Sequence, residues 1–248
     1  TYLFLAIFIG MISYFIYFQM VKSESVINSS YNSRLDLYAE HVIRGDITTA
    51  DGTVLAKTTV SDDGSETREY PYGRMFAHVA GYTNNGKGGL ESQYNFNLLR
   101  SHSFFLTQII NDLKNKKNIG DTLVTTLDYD VQETAYKALG DRDGAVVVME
   151  VKTGKILALV SKPDFDPNTL AERWDDIVSD ENSSVLLNRV TSGLYPPGST
   201  FKILSTYAPA LNEKGMTLAT TFEDEPYNYP DGSPVNNASK SYGGPTTI

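Results

Sequence analysis

Apolar residues fill nearly every position from Tyr2 to Phe18, and no charged residue occurs before Lys22. Such a run predicts a helix without a polar face, and about 20 residues suffice to span a bilayer. It ends in Gln19-Met20-Val21-Lys22, without the small residues of a cleavage site, and outruns the apolar core of about 7–15 residues in a removable signal. Residues 1–22 therefore read as an uncleaved anchor. The chain opens at Thr1, so residues carrying the charges that orient an anchor are expected before it. From Ser23 to Glu40 the pattern is polar with Val26, Tyr31, Leu35, Leu37 and Tyr38 interspersed, compatible with a juxtamembrane helix and equally with an extended stalk.

Beyond residue 40 the hydrophobic periods shorten. Arg44-Gly45-Asp46-Ile47 and Val54-Leu55-Ala56 flank Asp51-Gly52, which predicts a hairpin. The Arg-Gly-Asp triplet inside it is read as a strand start with a glycine, not as an adhesion signal. Residues 60–68 are polar and predict a loop. Gly81-Tyr82-Thr83-Asn84-Asn85-Gly86-Lys87-Gly88 imitates a phosphate loop, but Gly88 stands where a Ser or Thr would hold magnesium, and Gly89-Leu90-Glu91 is expected to continue the turn. From residue 120 the pattern becomes regular: a strand in 122–127, a helix over Val131–Leu139, then strands Gly144–Met149 and Ile156–Val160 joined by a turn at Lys152-Thr153-Gly154. A helix followed by hairpin-linked strands predicts an α+β unit with an antiparallel sheet. The boundary is expected near residue 120, giving a region at 23–119 and another at 120–248.

Composition narrows the function. The 248 residues are 41% hydrophobic and 21% charged, an ordinary globular balance, with a formal net charge of -9. That charge excludes nucleic acid as the main partner; the densest basic group, Lys114, Lys116 and Lys117 near Asp112, reads as a solvated helix end. There is no cysteine for a disulfide, thiol nucleophile or thiolate ligand. His41, His78 and His102 lack metal-site spacing. Asp164-Phe165-Asp166-Pro167-Asn168 begins like a calcium loop, but Thr169 replaces the required glycine and Asp175 the terminal Glu, so it reads as a proline turn. No cofactor is expected.

Candidate chemistry lies in Tyr195-Pro196-Pro197-Gly198-Ser199-Thr200-Phe201-Lys202. Residues three apart on a helix lie on one face, about 5–6 Å between Cβ atoms, so a neutral Lys202 amine could take the Ser199 proton. Pro196-Pro197-Gly198 predicts an extended entry, and apolar spacing from Phe201 to Leu211 a helix ended by Gly215. At a helix start, free N–H groups would favour the oxyanion formed on attack at a carbonyl. Burial beside cations would lower the Lys202 pKa as a base requires. The rival reading is a Ser199 helix cap with Lys202 in solvent. Pro209 removes one backbone donor further along the helix.

The run from Leu187-Asn188-Arg189 through Ser199-Thr200-Phe201-Lys202 closely resembles the first active-site block of class B penicillin-binding proteins, the membrane-anchored transpeptidases of bacterial cell-wall synthesis. The residue 44–56 hairpin is similar to that family's pedestal start, Gly88-Gly89-Leu90-Glu91 to its structural Gly-Leu-Glu segment, and Thr153–Ser161 with Phe165-Asp166-Pro167-Asn168 to the early strands of its transpeptidase domain. The resemblance implies a β-rich pedestal at 23–119 and, at 120–248, the N-terminal portion of a serine β-lactamase-like transpeptidase domain, with Ser199 as nucleophile and Lys202 as its proton acceptor. It implies a single-pass protein with an extracytoplasmic catalytic domain that cross-links peptidoglycan stem peptides through a serine acyl-enzyme, binds β-lactams as inhibitors and works with other cell-wall synthesis proteins. A membrane-bound β-lactam sensor and a non-catalytic wall scaffold are the alternatives. The family's Ser-x-Asn and later Lys-Thr-Gly are expected beyond Ile248; Lys152-Thr153-Gly154 precedes Ser199 and is assigned to a turn.

Overall fold

The computed structural model describes residues 2–23, 26, 39–102, 109–111, 113–114, 116–217, 219–235 and 244–247. Most of the stretch between the anchor and residue 39, and Asp112, lie outside the described residues. The chain divides into two compact units, Thr1–Gly193 and Leu194–Ile248.

In the first unit, helix α1 (Tyr2–Tyr17) continues through a π-turn at Phe18–Lys22 into a rod of 21 residues. None of it is buried against protein. At 1.5 Å per residue it is about 31 Å long, long and apolar enough to cross a membrane.

The residues after 41 form short strands. β1 (Val42–Ile43) pairs in parallel with β5 (Asn118–Ile119), and β2 (Ile47–Thr48), β3 (Val54–Val60), β4 (Glu66–Glu69) and β6 (Leu123–Val124) form one sheet in the order β4-β3-β2-β6. β2 and β3 are the expected hairpin; Gly52 at φ +91° turns the chain, and Thr53 N–H donates to Thr49 Oγ1 at 2.9 Å. Part of the loop expected at 60–68 is strand instead. Lys57 faces Glu69, Thr58 faces Arg68 and Val60 faces Glu66, so alternating polar residues here are one face of an antiparallel pair. β6 is shorter than expected, two residues laid parallel to β2.

Gly45 fits because a Cβ would stand 2.1 Å from Asp121 O; the glycine lets two backbones touch. Below the sheet lie a 3₁₀ turn (Gly73–Phe76) and helices α2 (Ala77–Ala80), α3 (Gly89–Gln93) and α4 (Asn95–Leu99). Ile47, Leu55, Ala56, Tyr70, Phe76, Ala80, Leu98 and Leu127 form their core. α3 corrects the expectation that Gly89-Leu90-Glu91 merely prolongs a turn: the 81–88 loop closes on itself, Gly88 N–H donating to Tyr82 O at 3.1 Å, and a helix starts at once.

Helix α5 (Tyr129–Leu139), capped by Asp128 on Val131 N–H, packs on the antiparallel hairpin of β7 (Gly144–Met149) and β8 (Ile156–Lys162). Ala135, Ala158 and Val160 form the core between them. Lys152-Thr153-Gly154 is the turn between the strands, with Gly154 at φ +74°. Helix α6 (Leu170–Ser179) and the short helix α7 (Arg189–Ser192) complete the unit. Strands with separate packed helices make an α+β fold.

The second unit carries a 3₁₀ turn (Gly198–Phe201), a π-turn (Ile203–Tyr207) and α8 (Ala208–Glu213). Two antiparallel pairs follow, β9 (Thr221–Asp224) with β12 (Gly244–Thr247) and β10 (Tyr227–Asn228) with β11 (Pro234–Val235).

Candidate active site

Gly198 at φ +56° reverses the chain after the proline pair, and Ser199 enters a 3₁₀ turn. In such a turn positions three apart share one face, which puts Ser199 and Lys202 on the same side of it; Lys202 N–H donates to Ser199 O, and Thr200 Oγ1 donates to Pro197 O at 2.5 Å. Pro197, not Ser199, occupies the capping position, and no side chain caps the turn. That disfavours Ser199 as a plain helix cap. Beyond Lys202 the helix expected from apolar spacing begins as a π-turn (Ile203–Tyr207) and becomes α-helical only from Ala208. Ala208 N–H donates to Ile203 O across a π-turn, just ahead of Pro209, which has no N–H to extend an α-ladder. Lys202 is exposed, so the burial expected to favour its neutral amine is not supplied by the described residues.

Other sequence candidates fall elsewhere. Asp164 is held by Arg74 Nη1 at 3.0 Å and accepts from Tyr136 OH at 2.6 Å, and Asp166 Oδ1 accepts from Asn168 N–H at 2.9 Å. These carboxylates are engaged in packing and a turn, and no metal-holding group of acidic or His side chains occurs among the described residues. Lys117 is paired with Glu66 at 2.7 Å, while Lys114 and Lys116 are exposed.

Glu91 is fully buried. Its Oε2 accepts from Arg44 Nε at 2.5 Å and its Oε1 from Arg68 Nε at 2.7 Å, while Arg44 Nη1 donates to Asn95 Oδ1 at 2.5 Å and Arg68 Nη1 to Gly45 O at 2.8 Å. Burial lowers the pKa of the Arg44 guanidinium and the adjacent Glu91 carboxylate opposes the shift. Arg68 Nη2 alone is buried without a hydrogen-bond partner among the described residues.

A strip from Tyr70 to Tyr82 joins this ionic knot to the later strands. Tyr70 N–H donates to Asn168 Oδ1 at 2.9 Å and its carbonyl accepts from Asn168 Nδ2 at 3.0 Å, as a neighbouring strand would bond. Gln132 Nε2 donates to Met75 O at 2.8 Å and Leu159 O at 2.9 Å, and its Oε1 accepts from Leu159 N–H at 2.8 Å. At the far end, His78 Nε2–H donates to Val185 O at 2.9 Å; the acceptor is a carbonyl, so this nitrogen carries the proton. Asn188 Nδ2 donates to His78 O at 3.2 Å, and its Oδ1 accepts from Val190 N–H at 3.1 Å. Ser161 Oγ donates to Leu187 O at 3.0 Å and accepts from Arg189 N–H at 3.0 Å. Sequence spacing gave no sign of these partnerships, because all but the Asn188 cap on Val190 N–H join residues far apart in the chain. A cavity of about 660 Å³ is lined by His78, Leu90, Leu127, Ile156, Phe165 and Asn188, among others.

Two families match. One, described as the penicillin binding protein A dimerisation domain, covers residues 44–123; the other, the penicillin binding protein transpeptidase domain, covers 144–248. The chain is 38% identical over 192 residues to the peptidoglycan D,D-transpeptidase PbpA of Mycolicibacterium smegmatis, a match spanning 70% of this chain and 38% of that protein. It is 32% identical to the peptidoglycan D,D-transpeptidase MrdA of Acinetobacter baumannii, spanning 65% of this chain and 28% of that one. Among solved structures, the imipenem acyl-enzyme of penicillin-binding protein A from M. tuberculosis superposes with a TM-score of 0.71 at 29% identity, over 86% of this chain and 53% of that one. The D,D-transpeptidase domain of an Eggerthella lenta peptidoglycan glycosyltransferase gives 0.65 at 33% identity, over 84% and 46%. The chain thus spans well under half the length of the curated relatives it matches.

Proposed function

The chain belongs to the class B penicillin-binding proteins, and from that membership we propose that the full-length protein is a D,D-transpeptidase cross-linking peptidoglycan stem peptides. Ser199 Oγ attacks the carbonyl between the two terminal D-alanines as Lys202 accepts its proton; the C–N bond breaks, the terminal D-alanine leaves with a proton on its amine, and Ser199 holds an acyl ester. An amine on a neighbouring strand then attacks the ester and Ser199 is released. One observation carries the reading: Ser199 and Lys202 share one turn, entered through a positive-φ glycine, inside the region matching the transpeptidase domain. A β-lactam presents a reactive carbonyl to the same hydroxyl and leaves a slowly hydrolysed ester; the M. tuberculosis relative, as an imipenem acyl-enzyme, is the precedent.

The domain plan follows as 1–22 anchor, 23–119 pedestal and 120–248 the N-terminal portion of the transpeptidase domain, supported by a dimerisation match that ends at 123 and a transpeptidase match that begins at 144. A single span with the catalytic domain outside the cytoplasm fits the apolar helix Tyr2–Lys22 and a substrate that lies outside the membrane. Stem peptides and other wall-synthesis proteins are the partners. Fluorescent penicillin should label the full-length protein and leave Ser199→Ala dark. Equal labelling of both would overturn the assignment.

A further inference from the structure

The sheet β4-β3-β2-β6 has two outer edges, and they differ in chemistry. β4 carries Glu66, Arg68 and Glu69, with Glu66 paired to Lys117 and Glu69 to Lys57. Charged side chains of this kind blunt an edge against further strands. The β6 edge has no such guard. Leu123 N–H donates to Asp46 O and Thr125 N–H to Thr48 O, both at 2.8 Å, and Leu127 O accepts from Ala50 N–H at 3.1 Å. The odd residues thus bond to β2 and its continuation, and Thr122, Val124 and Thr126 turn their N–H and C=O groups outward. All three are exposed, Val124 to 63%, and all three are β-branched and uncharged. Among the described residues no strand pairs with this edge; it closes only further on, where Thr126 Oγ1 donates to Ile156 O at 2.7 Å and Asp128 N–H to Leu157 O at 2.9 Å.

The cavity of about 660 Å³ borders the same strand: residues 123–127 line it in succession, within the unit Thr1–Gly193. Leu90, Ile156 and Phe165 give it apolar walls, and no Asp, Glu, Lys or Arg among the described residues lines it, in a chain that is 21% charged. A charged occupant would lose its water there without gaining a counter-ion. Unpaired main-chain groups beside such a space suit an occupant that brings main-chain groups of its own and apolar side chains at every second position. We infer that the β6 edge takes an extended, uncharged segment of a partner protein as a fifth strand of the sheet, its alternate side chains filling the cavity. A second copy offering its own β6 would bring only Thr122, Val124 and Thr126, side chains too small to fill it. The pairing involves neither Ser199 nor Lys202, so it stands independently of their chemistry.

The test uses the full-length protein in detergent and a panel of blocked, fluorescein-labelled hexapeptides in which serine alternates with Ala, Val, Leu or Phe. Such a peptide is about 20 Å long when extended, against roughly 17 Å for residues 122–126. Binding is read by fluorescence anisotropy and located by amide hydrogen exchange. At least one member of the panel should bind saturably below about 1 mM and slow exchange at residues 122–126. Four changes probe the pairing. In the peptide, N-methylation of alternate amides removes main-chain donors, and Lys at the central apolar position carries a charge into the cavity. In the protein, Val124→Pro removes one outward N–H and leaves the bonds to β2 in place, and Val124→Lys sets a charge on the edge. Each should weaken binding about 10-fold or more, with the melting temperatures of both protein variants close to that of the wild type. No saturable binding by any member, unchanged affinity in the folded Pro and Lys variants, or a Lys-bearing peptide that binds as well as its parent would each overturn the pairing. Sedimentation of the protein alone covers the remaining occupant: self-association abolished by Val124→Lys would put a second copy on this edge and overturn the partner segment.

Discussion

Two groups of charged residues, both within motifs of the same family, are treated in opposite ways. Glu91 has no exposed surface and is gripped by Arg44 and Arg68 with Asn95 beside them; Lys202 stands exposed on a turn held by its own backbone and by Thr200 Oγ1 on Pro197 O. A buried carboxylate is tolerable only where cations and donors replace its water, and here they do so nearly completely. Chemistry needs the reverse, a hydroxyl and an amine left free of structural partners so that a substrate can engage them. A charge fully bonded by its own fold is structural, whatever the motif that contains it.

Removing Glu91 is the strongest test of that contrast. In Glu91→Ala two guanidinium groups keep their burial and lose their counter-ion, and loss of one partner of a buried pair costs about 3–5 kcal/mol. The unfolding midpoint of the detergent-solubilised protein in denaturant should fall accordingly, whereas a change under about 1 kcal/mol would show that the knot relaxes to admit water. Gln132 is the uncharged counterpart. It has no exposed surface, and its amide ties α5 to Met75 and to both backbone groups of Leu159. Gln132→Leu leaves those groups unpaired while preserving much of the volume, for an expected loss of about 1–3 kcal/mol. If this variant proved as damaging as Glu91→Ala, charge would not be what distinguishes the knot.

Much of the fold is legible in the sequence wherever a signal is local. The anchor is readable because every face of its helix is apolar, the Asp51-Gly52 hairpin because the turn demands a residue at positive φ, and α5, β7 and β8 because their periods are unbroken. The failures are equally physical. β4 looked like loop because both strands of its pair are polar, and α3 looked like a continuing turn because its reason to exist, burial of Glu91 between two arginines, lies 47 residues back at Arg44 and 23 residues back at Arg68. The π-turn ahead of Pro209 follows from a missing donor, a fact present in the sequence whose consequence is geometric. Ser199 and Lys202 were visible as a pair at a turn, but the meeting of His78, Ser161 and Asn188 around residues 185–189 was not: they carry no shared motif, and only folding brings them to one place.

The smallest expected effect is a tilt in stability with pH, and it asks whether a buried titratable group with a single carbonyl partner sides with Glu91 or with Lys202. Burial lowers the His78 pKa; the Val185 carbonyl and Asp164 favour the charged ring less strongly, and Arg189 opposes it. The folded value thus lies below the unfolded one of about 6.5. In the interval between them the unfolded chain binds more protons, so stability rises with pH there; the contribution is complete above about pH 6.5 and is lost as the pH falls through the folded value. Unfolding midpoints measured across that interval should slope upward more steeply in the wild type than in His78→Phe, which has nothing to titrate at that site. Parallel curves would mean that the imidazole is charged as easily inside as out, and His78 would then belong with the exposed lysine, not with the knot.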